Sequence, residues 1–371
     1  MTPTTPTPLP DDAASPARTA AGPADPAGAV GAVGAVSPTA PGADTDSGYA
    51  GYVMVAHSDE THEIHAMLSD GADPTRWTPL NGGDGIVTST MGERGIRDPH
   101  LVRSPDGTFY LLGTDLDIRR TERPGLHGSF WDWLGRHGSR KINVWESADL
   151  VTWGPQRQVE ISPRSAGMAW APKTVWDAAA DAFLLIWSAR IYAPNDPGHD
   201  REGRHRLLAC HTRDFTTFTE PVDWGHPTLS TIDALVIAVD AAGNAVAPGA
   251  TPAHGAVSYV RFVKDEAAGI VFAERSDDLH ATNWEPASTS VTAGTETGIV
   301  EGPLAFQSFT DGEWYLWVDE YTGADRGYVP FHASSPDAER WEPVEGYSFP
   351  GKVKHGTVLP LTSAEYARLR G

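Results

Sequence analysis

Three acidic residues and a histidine each stand at the head of a short apolar stretch: Asp98, Asp233, Glu301 and His355. A carboxylate beside an apolar strand is costly to bury unless it faces a cavity or a partner. Two carboxyls in different environments can serve as proton donor and proton acceptor, because burial raises one pKa while hydrogen bonding lowers the other. Cleavage of a glycosidic bond needs such a pair, and a third carboxyl can tune the donor.

The stretches that carry these residues belong to a repeated unit of about four short strands. Each unit has a first strand, a tight turn, two further strands, and an acidic turn that leads to an aromatic residue. The aromatic residues recur roughly every 60 to 75 positions, at Trp77, Trp153, Phe218, Trp284 and Trp341. This recurrence predicts an all-β fold, a five-bladed β-propeller. A β-sandwich would also give alternating strands, but it would not give this ordered recurrence.

The two ends of the chain supply the fifth unit. Lys354–Leu361 has the pattern of a first strand with nothing after it, while Tyr52–Val55 and His65–Leu68 have the pattern of later strands with no first strand before them. We therefore predict that the last blade is closed by the N- and C-terminal strands, with Thr357–Leu361 pairing with Tyr52–Val55. Closure of the ring removes the exposed sheet edges that an open array would leave.

Composition divides the chain into two parts. Residues 1–48 are rich in Pro, Ala and Gly and nearly lack large apolar side chains, so we expect a disordered tail. Residues 49–371 are expected to form a single catalytic propeller domain. The beginning of the sequence does not have the basic start and apolar core of a signal peptide, which favours a cytoplasmic location, with secretion left open.

Charge and cysteine content narrow the classes of partner. The net charge of −21 disfavours nucleic acids and anionic membranes, and no apolar run is long enough to span a bilayer. Cys210 is the single cysteine, so it forms no intramolecular disulfide and is expected to be a small buried side chain. The pair His62 and His65 lacks the spacing of a helical zinc site. A monomer or a small homo-oligomer is expected.

Propeller geometry brings the dispersed candidates together. The first strand of every blade lines the axis, so the three acids and His355 should meet at one mouth of the channel. Antiparallel strands place the connections between second and third strands on that same face, and two of them, Asp115–Lys141 and Ile191–Arg204, are long insertions. The aromatic residues of the first insertion, Trp131 among them, form either a small core of the loop itself or a wall on which a sugar ring stacks. Trp170 adds an aromatic side chain at the same mouth.

The motifs in order resemble those of glycoside hydrolase family 43, within the arabinanase, levansucrase and invertase group of five-bladed propellers. The resemblance covers about residues 50–366. It rests on Arg97-Asp-Pro99, Tyr110-Leu-Leu-Gly-Thr-Asp115, Val144-Trp-Glu-Ser-Ala-Asp-Leu150, Trp170-Ala-Pro172, Ile232-Asp233, Glu301-Gly-Pro303, Trp314-Tyr-Leu-Trp-Val-Asp-Glu-Tyr321 and His355-Gly-Thr-Val-Leu-Pro360.

The resemblance implies an inverting hydrolase, expected to be exo-acting on α-L-arabinofuranosides or β-D-xylosides of plant-type oligosaccharides. By motif, Asp98 corresponds to the general base, Asp233 to the modulator of the acid's pKa, and Glu301 to the general acid. The expected substrate contacts are Arg97, Trp131, Trp170, Tyr321 and His355. His355 resembles the family's axial histidine, which in some members lies near calcium, so a Ca²⁺ ion held through water at the propeller axis is allowed, although no cofactor is required.

Two departures and two alternatives accompany this interpretation. Lys173 stands where an acidic residue is expected, and Ala234 stands where a proline is common. One alternative is a retaining, fructan-type glycosidase or transglycosidase, but the Trp-x-Asn-Asp-Pro type of motif expected for it is missing from Gly95–Pro99. The other is a non-catalytic carbohydrate-binding propeller, which would tolerate the loss of one acid, whereas all three are present.

Overall fold

The computed structural model describes residues 48–123 and 129–371. These residues form five antiparallel sheets, each of them one blade of a β-propeller, as the sequence predicts. The expected tail lies outside the described residues except for Gly48, and so does the segment 124–128 of the first insertion.

The first four blades each contain four strands that run outward from the axis in chain order. From the first blade to the fourth, the strands are Ile96–Arg103, Phe109–Asp115, Lys141–Ser147 and Arg157–Glu160; Trp170–Asp177, Ala182–Ile191, Arg204–Thr212 and Val222–Asp223; Thr231–Val239, Ser258–Asp265, Ile270–Ser276 and Glu285–Ser288; Val300–Gln307, Trp314–Glu320, Gly327–Ala333 and Glu342–Pro343.

The fifth blade takes its innermost strand from the C-terminal part of the chain and its other strands from the N-terminal part. From the axis outward, the strands are Lys354–Thr362, Tyr49–His57, Glu63–Asp70 and Asp73–Pro79, and a short strand, Val87–Thr88, pairs with Glu63–Asp70. Tyr52 pairs with Pro360 and Val55 with Thr357, in antiparallel register. The predicted closure of the ring is therefore confirmed.

The hydrophobic core lies between neighbouring blades. Phe183 and Trp187 of the second blade, for example, pack with Tyr110 and Leu112 of the first. The other clusters join the second blade to the third, the third to the fourth, the fourth to the fifth and the fifth to the first. The repeated aromatic residues belong to these clusters, which is why one such residue marks each unit of the sequence. At the axis, consecutive innermost strands contact each other in a closed ring.

Two short helices lie outside the blades in the part of the chain that the structure describes. The helix Phe130–His137, called α1 here, is part of the first insertion and begins after Ser129, whose side chain accepts a hydrogen bond from the Asp132 amide. The helix Ser363–Arg370, called α2, begins after Thr362 with a complete capping box that includes Glu365. A single turn of 3-10 helix spans Asn81–Gly83. None of the described helices is long and apolar enough to cross a membrane.

Candidate active site

Each innermost strand is distorted at its head, on the face of the propeller where the candidate residues meet. One residue per strand adopts a positive φ, and the pairing with the second strand shifts register there. The five residues, with φ between 47° and 55°, are Asp98, Ala171, Asp233, Gly302 and His355. An extra residue in a strand re-aims its neighbouring side chains. Positive φ at four non-glycine residues is strained backbone of the kind that clusters at functional sites.

Glu301 stands one residue before the position that Asp98 and Asp233 hold in their strands. The sequence suggested that Glu301 is equivalent to Asp98 and Asp233, but the position equivalent to theirs is Gly302. A side chain at Gly302 would collide with the ring of His355, because its Cβ would lie 2.6 Å from His355 Cδ2. The acid of the fourth blade therefore reaches the axis from the preceding residue, the position that Trp170 holds in the second blade.

The ring of His355 lies at the centre of the acidic residues. Nδ1 is 3.1 Å from Asp98 Oδ1 and 3.7 Å from Asp233 Oδ2, while Nε2 is 3.2 Å from Glu301 Oε1. Asp319 Oδ2 is a further 3.4 Å neighbour of Nε2. Burial by itself lowers the pKa of His355, but the surrounding carboxylates outweigh burial and raise that pKa well above its ordinary value. His355 is therefore an imidazolium that separates Asp98 from Glu301.

Asp98 is held as a carboxylate. Burial opposes its ionisation, but the hydrogen bond and charge of His355 prevail and hold the pKa of Asp98 well below its usual range. Thr114 Oγ1 donates to Asp98 Oδ2 at 2.7 Å. The Asp98 amide donates to His57 Nδ1 at 3.0 Å, and burial together with Arg97 keeps the pKa of His57 well below its ordinary value. A neutral His57 that accepts at Nδ1 carries its proton on Nε2.

Asp233 has the opposite electrostatic character. Burial, reinforced by the negative charges of Glu301 and Asp98 and only partly opposed by His355, raises the pKa of Asp233 to about 7. The amide of Gly302 donates to Asp233 Oδ2 at 3.3 Å, and the Asp233 amide donates to Ser188 Oγ at 3.0 Å. Asp233 is therefore the carboxyl that keeps a proton in weakly acidic solution.

Glu301 is ionised in this structure. Burial opposes ionisation, but His355 and Lys264 outweigh it and lower the pKa of Glu301 to about 2. Lys264 Nζ donates to Glu301 Oε2 at 2.8 Å and to the Tyr321 hydroxyl at 3.1 Å. Lys264 also lies 2.9 Å from Glu266 Oε2. Of these two carboxyls, Asp233 is thus the one that keeps a proton more readily.

A ring of polar residues on the second strands supports the distorted heads of the innermost strands. The sequence did not reveal this ring. Each of these residues pairs with the residue that precedes the positive-φ position of its blade: Thr114, Ser188, Lys264, Asp319 and His57. His57, Thr114 and Ser188 accept the amide of the positive-φ residue in the next blade. The signal for them was a polar residue near the end of an apolar second strand in every repeat.

Lys173, one of the two departures from the family pattern, lies beneath the site. Its Nζ donates to the carbonyls of Pro99 and Gly356, both at 3.1 Å. These carbonyls belong to the residues that directly follow Asp98 and His355. Burial lowers the pKa of Lys173 to about 8, although Asp98 and Asp233 oppose that effect. Lys173 fixes the backbone under the acidic cluster and takes no part in lining the cavity above it.

The acidic cluster forms the floor of a cavity of 440 Å³. All the substrate contacts expected from the sequence line it: Arg97, Trp131, Trp170, Tyr321 and His355. Its walls include Leu116, Ile118 and Asp132 of the first insertion, together with Arg190 and His205 at the ends of the second. The volume falls within the usual range of small-molecule sites.

The position of Trp131 bears on the two interpretations of the first insertion, a small core of the loop itself or a wall on which a sugar ring stacks. Trp131 lies on α1 and is 51% exposed, and its ring meets the ring of Trp170 edge to face with centroids 6.2 Å apart. Leu134 of the same helix is buried, and the helix contacts the strand Ala182–Ile191 of the second blade. The helix therefore packs on one side and presents an aromatic wall to the cavity on the other.

The carboxylates at the axis are arranged to pair with a protonated His355 and are less suited to binding a calcium ion. Asp233, Glu301 and His355 each bring one potential ligand atom within 4.8 Å of the others. Calcium prefers six to eight oxygen ligands. Both ring nitrogens of His355 already face carboxylate oxygens at hydrogen-bonding distance, and Lys264 occupies the second oxygen of Glu301.

A comparison with protein families identifies a model that covers most of the chain. The model described as a probable glycosyl hydrolase domain, related to glycoside hydrolase family 43, matches residues 47–367. An α-L-arabinofuranosidase of Bifidobacterium longum subsp. longum is 27% identical over 263 residues, which are 65% of this chain and 22% of that protein. The chain therefore spans about a fifth of the length of this curated relative.

Solved structures with a similar chain path include two glycoside hydrolases. A thermostable family-43 glycoside hydrolase is 18% identical with a TM-score of 0.47, and the match covers 73% of this chain and 81% of that one. An α-L-arabinofuranosidase of Podospora anserina, determined in complex with cellotriose, is 15% identical with a TM-score of 0.44 and 70% of each chain covered.

Proposed function

The chain belongs to the probable glycosyl hydrolase family related to glycoside hydrolase family 43, and we propose that it is an inverting, exo-acting hydrolase of α-L-arabinofuranosides or β-D-xylosides. The observation that carries the proposal is the meeting of Asp98, Asp233 and Glu301 around His355 on the floor of one cavity. A binding surface for neutral sugars would have no need for three buried carboxyls held in different protonation states.

In this proposal Asp98 is the general base. Its pKa lies well below the ordinary value, so it is ionised throughout the neutral range and can take a proton from a water molecule. Thr114 and His355 fix the orientation of the carboxylate. The water attacks the anomeric carbon, the bond from that carbon to the leaving oxygen breaks, and Glu301 delivers a proton to the leaving oxygen.

Inversion requires room for a water molecule between the base and the sugar, so the two carboxyls stand further apart than in a retaining enzyme. The ring of His355 between Asp98 and Glu301 supports that separation, since each carboxyl contacts a different nitrogen of the ring. The carboxyls of a retaining pair would stand only about 5–5.5 Å apart, against roughly 6.5–9.5 Å for an inverting pair.

Glu301 must receive a proton before it can act as the general acid. We propose that Asp233 supplies this proton, because Asp233 holds a proton up to about pH 7. A carboxylate oxygen of Asp233 also lies within 4.8 Å of a carboxylate oxygen of Glu301. A sugar ring that displaces water and Lys264 from Glu301 would raise the pKa of Glu301. The proton would then move from Asp233 to Glu301. Asp233 thus sets the protonation of the acid and does not touch the leaving group.

Exo action is supported by the way in which the cavity is walled. Trp131 and Asp132 of α1 stand on one side, and Arg190 stands beside Asp132, with its NH1 2.7 Å from Asp132 Oδ1. This ion pair joins the first insertion to the strand Ala182–Ile191 of the second blade, and both of its residues line the cavity. A pocket of this kind accepts the end of a chain, whereas an endo-acting enzyme needs an open groove.

A panel of nitrophenyl glycosides tests the proposal. We expect hydrolysis of the α-L-arabinofuranoside, the β-D-xyloside or both, and a loss of about 10³-fold or more in kcat for Asp98→Asn. Asp181→Asn, which changes an exposed carboxylate that does not line the cavity, is the control and should keep most of kcat. Sugar binding without hydrolysis of any glycoside would favour a non-catalytic propeller.

A further inference from the structure

A second cluster of potential ligands lies far from the cavity, between the second and third blades. Asp177, His211 and His280 each offer one ligand atom, and these atoms lie within 4.8 Å of one another. Asp177 ends the innermost strand of the second blade, whose first residue, Trp170, lines the cavity. A strand of this length spans roughly 23 Å. The cluster is therefore on the opposite face of the propeller from the acidic site.

Both imidazoles converge on a single oxygen atom. His211 Nε2 and His280 Nε2 are each 2.8 Å from Asp177 Oδ2. The other oxygen, Asp177 Oδ1, accepts the amides of Ala179 at 3.0 Å and Ala180 at 3.3 Å. These amides fix the plane of the carboxylate and leave Oδ2 to face the two histidines. Outer contacts that orient a ligand in this way are a regular feature of protein metal sites.

The backbones that carry the two histidines are also fixed. The amide of His211 donates to Thr219 Oγ1 at 2.9 Å, and its carbonyl accepts the amide of Thr219 at 3.0 Å. The amide of His280 donates to Asp278 Oδ1 at 2.9 Å, within the acidic turn that follows the third strand. The three donors thus come from three hydrogen-bonded positions on two neighbouring blades.

We infer that Asp177, His211 and His280 form a zinc-type metal site, with one carboxylate oxygen and two imidazole nitrogens as ligands. Zn²⁺ is commonly held by three such ligands with water in a fourth position. Calcium and magnesium are disfavoured, because both prefer sets of oxygen ligands and two of the three donors are nitrogen. The side chains of His211 and His280 are 27% and 47% exposed, so an ion has a path of entry.

Metal binding requires a rearrangement of the side chains at this cluster, whose three ligand atoms now lie within 4.8 Å of one another. Ligands about 2.0–2.1 Å from a tetrahedral zinc ion lie roughly 3.3 Å from one another, so each Nε2 must withdraw from Oδ2 by about half an ångström. The partly exposed rings can make that movement. Each imidazole, now a donor at Nε2, must carry its single proton on Nδ1 when it binds the metal. The bound ion would join the second blade to the third and stabilise their contact.

Isothermal titration of chelator-treated, desalted protein with ZnCl₂ tests the inference. We expect one Zn²⁺ per chain, a rise in melting temperature with added Zn²⁺, and binding weakened at least about 100-fold in His211→Ala and His280→Ala. His332→Ala is the matched control: His332 is also partly exposed and faces one carboxylate, Glu313 at 3.3 Å, so its loss should leave zinc binding unchanged.

A second variant distinguishes this cluster from the acidic site. Glu301→Gln removes a potential ligand of the axial group, and the zinc affinity should be unaffected by it. Absence of binding by the unmodified chain, or binding that survives in both histidine variants and is lost in Glu301→Gln, would overturn the inference. Glycoside hydrolysis by His280→Ala should equal that of the unmodified chain, because the cluster lies on the far face.

Discussion

At the scale of single residues, the chemistry depends on where one proton resides in the acidic cluster. His355 and Lys264 hold Glu301 ionised, and burial keeps Asp233 protonated up to about pH 7. Sequence analysis placed all four axial residues together from their position at the heads of apolar strands. It could not assign the proton, because the assignment depends on Lys264, which reaches Glu301 from a neighbouring blade.

Glu301→Gln and Asp98→Asn should fail in different ways. A glutamine cannot donate a proton, so we expect Glu301→Gln to lose about 10²–10⁴-fold in rate on a glycoside with a poor leaving group and to recover part of that rate on a dinitrophenyl glycoside. Asp98→Asn cannot activate water, and its loss should be similar for both substrates. Steady-state rates on the two substrates give the comparison. If the rates of both variants depended equally on the leaving group, the proposed roles of Asp98 and Glu301 would be contradicted.

Asp233→Asn should change how stability depends on pH. The unfolded chain loses the Asp233 proton near the ordinary pKa of an aspartate, whereas the folded chain keeps it to about pH 7. The folded state therefore binds more protons between about pH 4 and 7, and its stability from this group is full below that window and falls as the pH rises through it, by at most about 1.4 kcal/mol per pH unit.

The asparagine variant lacks this loss, so its melting temperature should rise relative to that of the unmodified chain as the pH increases from 4 to 7. Thermal unfolding across that range measures the difference. Asp181→Asn, in an exposed turn, is the control and should track the unmodified chain. In activity assays, Asp233→Asn should move the alkaline limb of the pH profile to lower pH, because an amide cannot hold the proton for Glu301. A pH-independent difference in melting temperature would show that Asp233 is not protonated in the folded state.

At the scale of elements, the distorted strand heads position the site. The repeat pattern predicted the strands and their order, because apolar alternation and turn residues are local signals. The one-residue offset of Glu301 was not predictable, since it follows from the collision of any side chain at Gly302 with a ring contributed by the fifth blade. Both helices were missed, although Thr362 and Glu365 have the spacing of a capping box and could have indicated α2.

Removal of the innermost strand of the fifth blade should abolish cooperative folding. A chain ending at Val353 loses Lys354–Thr362, which pairs with Tyr49–His57 and contacts the innermost strands of the first and fourth blades. The matched variant ends at Thr362 and loses only α2, whose Tyr366 hydroxyl binds the backbone of Ser69 and Gly71. We expect the longer chain to keep a single, somewhat lowered thermal transition and the shorter chain to show none. An unchanged transition in the shorter chain would refute the dependence of the fold on ring closure.

At the scale of the whole molecule, the propeller converts dispersed residues into one site. Five innermost strands meet at the axis, so Asp98, Asp233, Glu301 and His355 share the floor of one cavity. The insertions on the same face supply part of the walls of that cavity. The fold class and the family resemblance followed from the sequence and are confirmed by the sheets and the family model. The identity of the sugar depends on the shape of walls formed partly by the insertions, which have no repeat to guide prediction.

The anomeric configuration of the first product tests the central claim most directly. If Asp98 activates water and Glu301 protonates the leaving oxygen, a single displacement must invert the anomeric centre. Proton NMR during the first turnovers on the best glycoside of the panel, before mutarotation, should show the anomer opposite to that of the substrate. Initial formation of the anomer with the configuration of the substrate would mean a double displacement, and would contradict the proposed roles of Asp98 and Glu301.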